Sequence, residues 1–253
     1  VGVLGDSPKL NIISDPGPPD SHTYTQQLSL LHPHPFVCVQ DILEDNPDLK
    51  YNCSNFFIEK LKQYLQGNVE KLHGKRLIDY RGGHSIHSWE LGLKGECRSE
   101  EIALMNQFIL KRRNKQFGQY KDGKLLTKEQ IKTFFDSPQL DNILDSLVTK
   151  NYLKKIDDTY KPVSGNFSFE VYKFLDPQSI SVTLVASDAN KIGVYHNHRV
   201  RRITPREAAR LQGFPNHFIL HENDQKAYYQ LGNSISTKVV RFVAKEALSK
   251  IFI

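Results

Sequence analysis

The sequence predicts an α+β fold, and three observations carry that reading. Apolar residues recur at helical spacing in several separate stretches. Between those stretches lie short runs that alternate apolar and polar residues, the pattern of half-buried strands. Turn-forming connectors such as Asp15-Pro-Gly-Pro-Pro-Asp20 punctuate the pattern. The 253 residues suffice for one or two domains with real cores, and 39% hydrophobic with 25% charged residues is ordinary for a soluble globular protein. A formal charge of +6 and a pI near 9.1 favour an anionic partner, nucleic acid before a membrane. No run approaches the roughly 18 apolar residues of a membrane span, and no signal peptide is recognised. The cysteines Cys38, Cys53 and Cys97 are odd in number and lack C-x-x-C spacing, which argues against a disulfide framework and for a cytoplasmic setting.

The run Val1-Gly-Val-Leu4 reads as a strand, and its position at the start suggests a piece of a longer polypeptide. The connector through about residue 35 can be neither helix nor central strand. Phe36 to Leu43 reads as a strand followed by a short helix. Phe56, Phe57, Ile58, Leu61, Tyr64 and Leu65 predict an amphipathic helix over 54–66. In Arg76 to Trp89, Gly82-Gly83 permits backbone conformations closed to other residues, so this loop can approach a ligand or another backbone closely. His84, His87 and Cys97 are only three candidate metal ligands, without a helical frame. A structural zinc site takes four, so no metal is assigned, and hydrogen bonds from these polar groups to backbone or phosphate are preferred.

Ser99 to Lys115 is the clearest long helix, with Ser99 as its cap and Ile102, Met105, Phe108 and Ile109 as its buried stripe. Its basic end suits the helix dipole with no partner present. Residues 111–124 nevertheless carry six basic residues and one acid, so phosphate contact by Arg112 and Arg113 stands beside that reading. From Leu125 to about 163 the pattern becomes that of a winged helix. Thr127 caps a helix through Phe134-Phe135, Leu140 to Val148 forms a second, and a hairpin turns around Asp157-Asp158-Thr159. Such segments dock on DNA or join proteins to each other, and Asp141 and Asp145 on the second helix favour a packing or spacer role. Asn166 to Phe174 and Ile180 to Ala186 predict strands, Asp188 to Lys191 a loop, and Gly193 to Tyr195 a further short strand.

Arg199, Arg201, Arg202, Arg206 and Arg210 stand against one carboxylate, Glu207, within twelve residues. Thr204 reads as an N-cap, Pro205 as N1 and Glu207 as N3, the spacing of a capping box, and Gly213 ends the short helix. A surface helix with solvated charge accounts for that composition as well as a ligand site does. After Asn233, Val239, Val240, Phe242, Val243, Ala247, Leu248 and Ile251 predict a helix apolar on more than one face, which calls for burial between layers.

Two of these segments, Arg201 to Pro215 and Tyr229-Gln-Leu-Gly-Asn-Ser234, resemble the last two shared motifs of the cytosine-C5 DNA methyltransferases. Those motifs run R-x-L-T-P-R-E-x-A-R-L-Q-G-F-P and Q-x-G-N-[SA]-[VI]. Thr183-Leu184 is similar to the Thr-Leu pair that closes the family's target-recognition region. The family's Pro-Cys nucleophile loop, its Glu-Asn-Val motif and its glycine-rich cofactor loop are not in this sequence. The resemblance therefore implies the C-terminal part of such an enzyme, with no catalytic residue in this chain and no methyl transfer by it alone. It implies three regions. Residues 1–35 would end a catalytic-domain strand and connect onward, 36–229 would form a small target-recognition domain containing the winged-helix-like segment, and 230–253 would return to the catalytic domain. The first strand and last helix would be remnants of an α/β methyltransferase domain.

The implied cofactor is S-adenosyl-L-methionine, shared with a catalytic domain or subunit outside this chain, with Gly232, Asn233 and Ser234 at its pocket. The implied partners are double-stranded DNA and that catalytic part, with no membrane, in a restriction–modification setting. By the same resemblance Arg206, Glu207 and Arg210 brace the recognition region, and Thr183 lies against the DNA backbone. Base-reading residues do not transfer across the family. Loop character and charge nominate Arg81, Gly82, Gly83, His84, Arg112, Arg113, Asp188 to Lys191, Arg199 and Arg201 for DNA contact. A stand-alone DNA-binding or regulatory module is the alternative, against which the Gly-Asn-Ser block argues. A metal-dependent nuclease would need clustered acids with a lysine, and no P-D…E-x-K arrangement is present.

Overall fold

The computed structural model describes residues 37–80, 85–118, 124–163 and 168–251. The predicted opening strand and its connector lie outside these residues. The chain is mixed α and β and divides into two compact units. The larger comprises Pro47–Asp176 and Lys191–Ile203, and the smaller comprises Val1–Asn46, Pro177–Asn190 and Thr204–Ile253.

In the larger unit, helix α1 (Asn55–Tyr64) starts where the Ser54 hydroxyl accepts the Phe57 N–H at 3.2 Å. Its buried stripe is Phe57 and Leu61, continued by Leu65, narrower than the sequence predicts. Phe56 is exposed because it lies about 100° around the helix from Phe57, and Tyr64, in the last turn, is also exposed. The stripe packs with Leu72, Leu77, Val171, Phe174 and Val200 in one core cluster.

Helix α2 (Ser99–Lys111) buries Leu104, Met105, Phe108 and Ile109, with Ile102 half-buried. Ser99 is its first residue, not its cap. The start is fixed instead by the buried Glu101 carboxylate, which accepts the Arg98 N–H at 2.6 Å and the Lys150 ammonium at 2.8 Å. Strand β1 (Leu126–Thr127) leads into α3 (Lys128–Lys132) through a reciprocal cap. The Gln130 N–H donates to Thr127 Oγ1 at 3.3 Å, and the Thr127 N–H donates to Gln130 Oε1 at 2.9 Å. Helix α3 ends before Phe134, earlier than the sequence predicts. Helix α4 (Leu140–Thr149) follows, then the antiparallel strands β2 (Leu153–Ile156) and β3 (Thr159–Pro162), in sheet order β1-β3-β2. These elements enclose a second cluster around Trp89, Phe108, Leu144 and Tyr152.

Strand β4 (Lys173–Leu175) pairs parallel with β5 (Ile192–His196), and β5 turns back onto antiparallel β6 (Arg199–Arg202). Asn197 and His198 at that turn have φ of 49° and 60°. Two successive positive φ values are those of the mirror-image hairpin turn that matches strand twist. Of the strand predicted over 166–174, residues 166 and 167 lie outside the described residues, and the ladder begins only at Lys173, in β4; Val171 and Tyr172 before it are both buried. At Gly193 a side chain has no room, since a Cβ there would lie 2.6 Å from Val171 Cγ1 and 2.8 Å from the Arg201 carbonyl oxygen.

The smaller unit is built from α5 (Pro205–Leu211), α6 (Asp224–Asn233) and α7 (Thr237–Ile251). The Val39–Ile42 turn is tied to the 177–190 segment, where Val39 N–H donates to the Ser179 carbonyl at 3.0 Å and Gln40 N–H to Pro177 at 2.9 Å. Ile180 to Ala186, predicted as a strand, has no strand ladder. On α7 the apolar Val239, Val240, Phe242 and Leu248 are exposed, between 46% and 57%. No helix among the described residues is long and apolar enough to cross a membrane.

The Gly193 contact generates a stability test. Gly193→Ala should cost about 1–3 kcal/mol, as overpacking does in a closed core, and lower the thermal midpoint seen by circular dichroism. A melt unchanged from wild type would show that Val171 moves aside freely.

Candidate functional site

Helix α5 carries the arginine block, and its first turn is held by a closed hydrogen-bond network. The Glu207 N–H donates to Thr204 Oγ1 at 3.0 Å, and Glu207 Oε2 accepts the Thr204 N–H at 2.7 Å. Glu207 Oε1 accepts the Glu44 N–H at 2.8 Å, while the Thr204 hydroxyl donates to Glu44 Oε2 at 2.6 Å. Glu207 is fully buried. A buried carboxylate is tolerable there because two backbone N–H groups and the positive end of the helix surround it.

The other two brace candidates also bond within the unit. Arg210 donates to the Ile42 carbonyl and to Asn216 Oδ1, each at 2.9 Å, and Arg206 donates to the Phe218 carbonyl at 2.9 Å. At the far end of α5, Gly213 has φ of +80°, and a Cβ on it would lie 2.7 Å from Thr237 Oγ1. That approach lets Thr237 N–H donate to the Gln212 carbonyl at 2.9 Å and the Thr237 hydroxyl to Gly213 at 2.9 Å. Gln212 in turn donates through Nε2 to the Leu231 carbonyl at 3.0 Å. The end of α5 thus fixes both the end of α6 and the start of α7.

Gly232 serves a close approach of a second kind. A Cβ on it would lie 2.4 Å from the Ala186 nitrogen and 2.5 Å from its Cα. The backbone of 185–186 therefore lies directly against helix α6, and this packing replaces the predicted strand pairing of Ile180 to Ala186. Asn233 is exposed with Nδ2 donating to the Tyr229 carbonyl at 3.1 Å, and the Ser234 hydroxyl donates to Leu231 at 2.7 Å. Thr183, Arg210, Gln212 and Ser234 line one open cavity of about 590 Å³, a size that accommodates a small ligand. Gly232 and Asn233 do not line it.

The remaining candidates are placed differently. Arg112 and Arg201 are 5% and 1% exposed, and donate to the carbonyls of Tyr80 and Arg202. Arg199 donates to Asn52 Oδ1 and the Pro47 carbonyl at 2.9 Å each, and Lys191 to Phe169 at 3.3 Å. Arg113 is half-buried, Thr183 is exposed, and Asp188 and Lys191 sit in a short 3-10 turn region. Arg81, Gly82, Gly83 and His84 lie outside the described residues.

Sequence reasoning missed the clasp that flanks that loop. Asp79 is buried and accepts the Ser88 N–H at 2.8 Å and its hydroxyl at 2.7 Å; burial raises its carboxyl above the usual range. His87 stacks on Trp89, with ring centroids 4.4 Å apart, and its Nδ1 meets the Ile78 carbonyl. No three His, Cys, Asp or Glu among the described residues gather as metal ligands. The available signal was an Asp and a Ser on either side of Gly82-Gly83, with no periodicity to mark it.

Comparison with known proteins places these features. Residues 18–249 match the family model of the C-5 cytosine-specific DNA methylases. The chain is 55% identical over 246 residues to the type II methyltransferase M.BanI of Aneurinibacillus aneurinilyticus, covering 97% of this chain and 58% of that protein. It is 56% identical to M.HgiCI of Herpetosiphon aurantiacus over 96% of this chain and 58% of that protein. It is 37% identical to M.NlaIV of Neisseria lactamica over 77% of this chain and 51% of that protein. The chain thus spans little more than half the length of these relatives.

The network around Glu207 yields a graded expectation. Glu207→Gln points an amide N–H₂ at one of two buried backbone donors and should cost about 1–3 kcal/mol, the penalty of an unmet buried polar group. Arg206→Ala removes only surface hydrogen bonds and should cost less. Chemical denaturation of the two variants ranks them, and the reverse order would refute the brace.

Proposed function

Because the chain belongs to the C-5 cytosine-specific DNA methylase family, we propose that it is the C-terminal, DNA-recognising part of a type II DNA (cytosine-5-)-methyltransferase. The whole enzyme would transfer methyl from S-adenosyl-L-methionine to C5 of a cytosine flipped from the duplex, in restriction–modification. The observation that carries this reading is the convergence of Thr183, Arg210, Gln212 and Ser234 on one cavity, held by the close contacts at Gly213 and Gly232.

In this chemistry a cysteine thiolate adds to C6 of the flipped base and makes C5 nucleophilic. Two of this chain's thiols are unsuited to it. Burial, with Glu170 adding to it, pushes Cys53 up to about 12, and burial followed by Glu101 pushes Cys97 up to about 11. Both are thiols at neutral pH, which supports a nucleophile supplied from outside this chain. Asn233 and Ser234 offer an exposed amide and a hydroxyl at the turn between α6 and α7. That suits one edge of a cofactor site but does not enclose S-adenosyl-L-methionine, so the cofactor is proposed to be shared with a catalytic domain or subunit. The exposed apolar residues of α7 support such a partner.

Thr183 is exposed and Arg113, Lys191 and Arg199 are half-buried, so these described candidates retain access for DNA contact, whereas the buried Arg112 and Arg201 support loops from within. The order β1–α3–α4–β2–β3 supports a winged-helix-like segment over 125–163. Lys128 pairs with Asp141 there, which suits a spacer role.

The deciding experiment is methyl incorporation from labelled S-adenosyl-L-methionine into duplex DNA. The chain alone should be inactive and should become active when mixed with a separately supplied catalytic half. Asn233→Ala should lower the activity of the mixture by about tenfold, a loss of roughly 1.4 kcal/mol in the transition state. Activity from the chain alone would overturn the reading. Inactivity of both, with salt-sensitive DNA binding retained, would favour the stand-alone binding module.

A further inference from the structure

Arg76 and Lys173 are bridge partners on antiparallel backbone at the edge of β4. The flanking hydrogen bonds run from Leu77 N–H to the Tyr172 carbonyl at 2.8 Å and from Phe174 N–H to the Lys75 carbonyl at 2.9 Å. That pattern makes Arg76 and Lys173 a non-hydrogen-bonded pair, the position where opposed side chains come closest. Leu77 and Phe174, one residue further on, are buried in the core. Arg76 is exposed and Lys173 half-buried, with its Nζ 5.5 Å from the centre of the Tyr172 ring.

Like charges directly opposite one another destabilise a ladder. Among the described residues no carboxylate is paired with either side chain. Burial first, and the Arg76 guanidinium second, hold the Lys173 ammonium below the usual lysine range. The unit contains a second opposed pair, Lys154 and Lys161 on β2 and β3, whose hairpin also carries Asp157 and Asp158. Nothing comparable stands beside Arg76 in sequence, where His73, Lys75 and Arg76 precede Asp79, and Asp79 is buried and taken up by Ser88.

We propose that Arg76 and Lys173 jointly grip one phosphate of the DNA backbone, which supplies the negative charge that the opposed pair lacks. The planar guanidinium would take two phosphate oxygens and the ammonium a third. This rests on the reading of the chain as a DNA-recognising part. Being a backbone contact, the grip positions the duplex and carries no sequence information.

The test is the binding of the 253-residue chain to a mixed-sequence duplex across a salt series, compared with Arg76→Gln, Lys173→Gln and the double variant. Each single variant should bind about threefold to tenfold more weakly and lose about 1 from the slope of log affinity against log salt. The double variant should also lose about 1 and not about 2, because both side chains hold the same phosphate. Thermal midpoints should be no lower than wild type, since removing one cation relieves the repulsion. A double variant that keeps the wild-type slope would overturn the grip. So would an equal slope loss in Lys132→Gln, an exposed lysine on α3, which would mark a general charge effect. Inorganic phosphate competing as well as the duplex, at matched phosphate concentration, would make this a free-anion site and overturn it too. A wild-type chain that binds no DNA would instead fell the recognition reading, and the grip with it.

Discussion

The smaller unit depends on one buried carboxylate. Glu207 takes two backbone N–H groups, one from its own helix cap and one from Glu44, far away in sequence. An unpaired charge at such a site would cost more than most single contacts contribute, so the network is satisfied as a whole or not at all. Through it the short helix α5 acquires a fixed start, and through Gln212 and Gly213 a fixed end. Seven residues of helix, too few to be stable alone, become the hub to which α6 and α7 are tied.

Glycines set the second constraint, by the room they leave and not by flexibility. Gly193 admits Val171 against β5, and Gly232 admits the 185–186 backbone against α6. Neither has a positive φ, so the demand for glycine at both is steric and not conformational. The Gly-Asn-Ser block therefore has a structural demand at its glycine, while its Asn and Ser project polar groups at the turn that follows.

The net positive charge is spent in two ways. Arg112, Arg199, Arg201 and Arg210 donate to the protein's own carbonyls and amides, where planar guanidinium groups can satisfy several acceptors at once. Arg76 and Lys173 are set against each other, and among the described residues no carboxylate pairs with either. Composition counts these residues alike, and only the partners that folding gives them tell the two arrangements apart.

The sequence by itself determined the family, the α+β class, the Thr204–Glu207 capping box, the hairpin around Asp157 and the long helices α2 and α7. These follow from local pattern, because a cap or a periodic stripe is written within a few residues. It missed the Glu44 partner of Glu207, the Asp79–Ser88 clasp and the Arg76–Lys173 pair. It also predicted a strand at Ile180 to Ala186 where the chain packs on Gly232, and placed the cap of α2 on Ser99 where Glu101 and Lys150 fix the start. In each case tertiary structure decided, since the deciding partner is remote in sequence or is a steric contact that no spacing rule encodes.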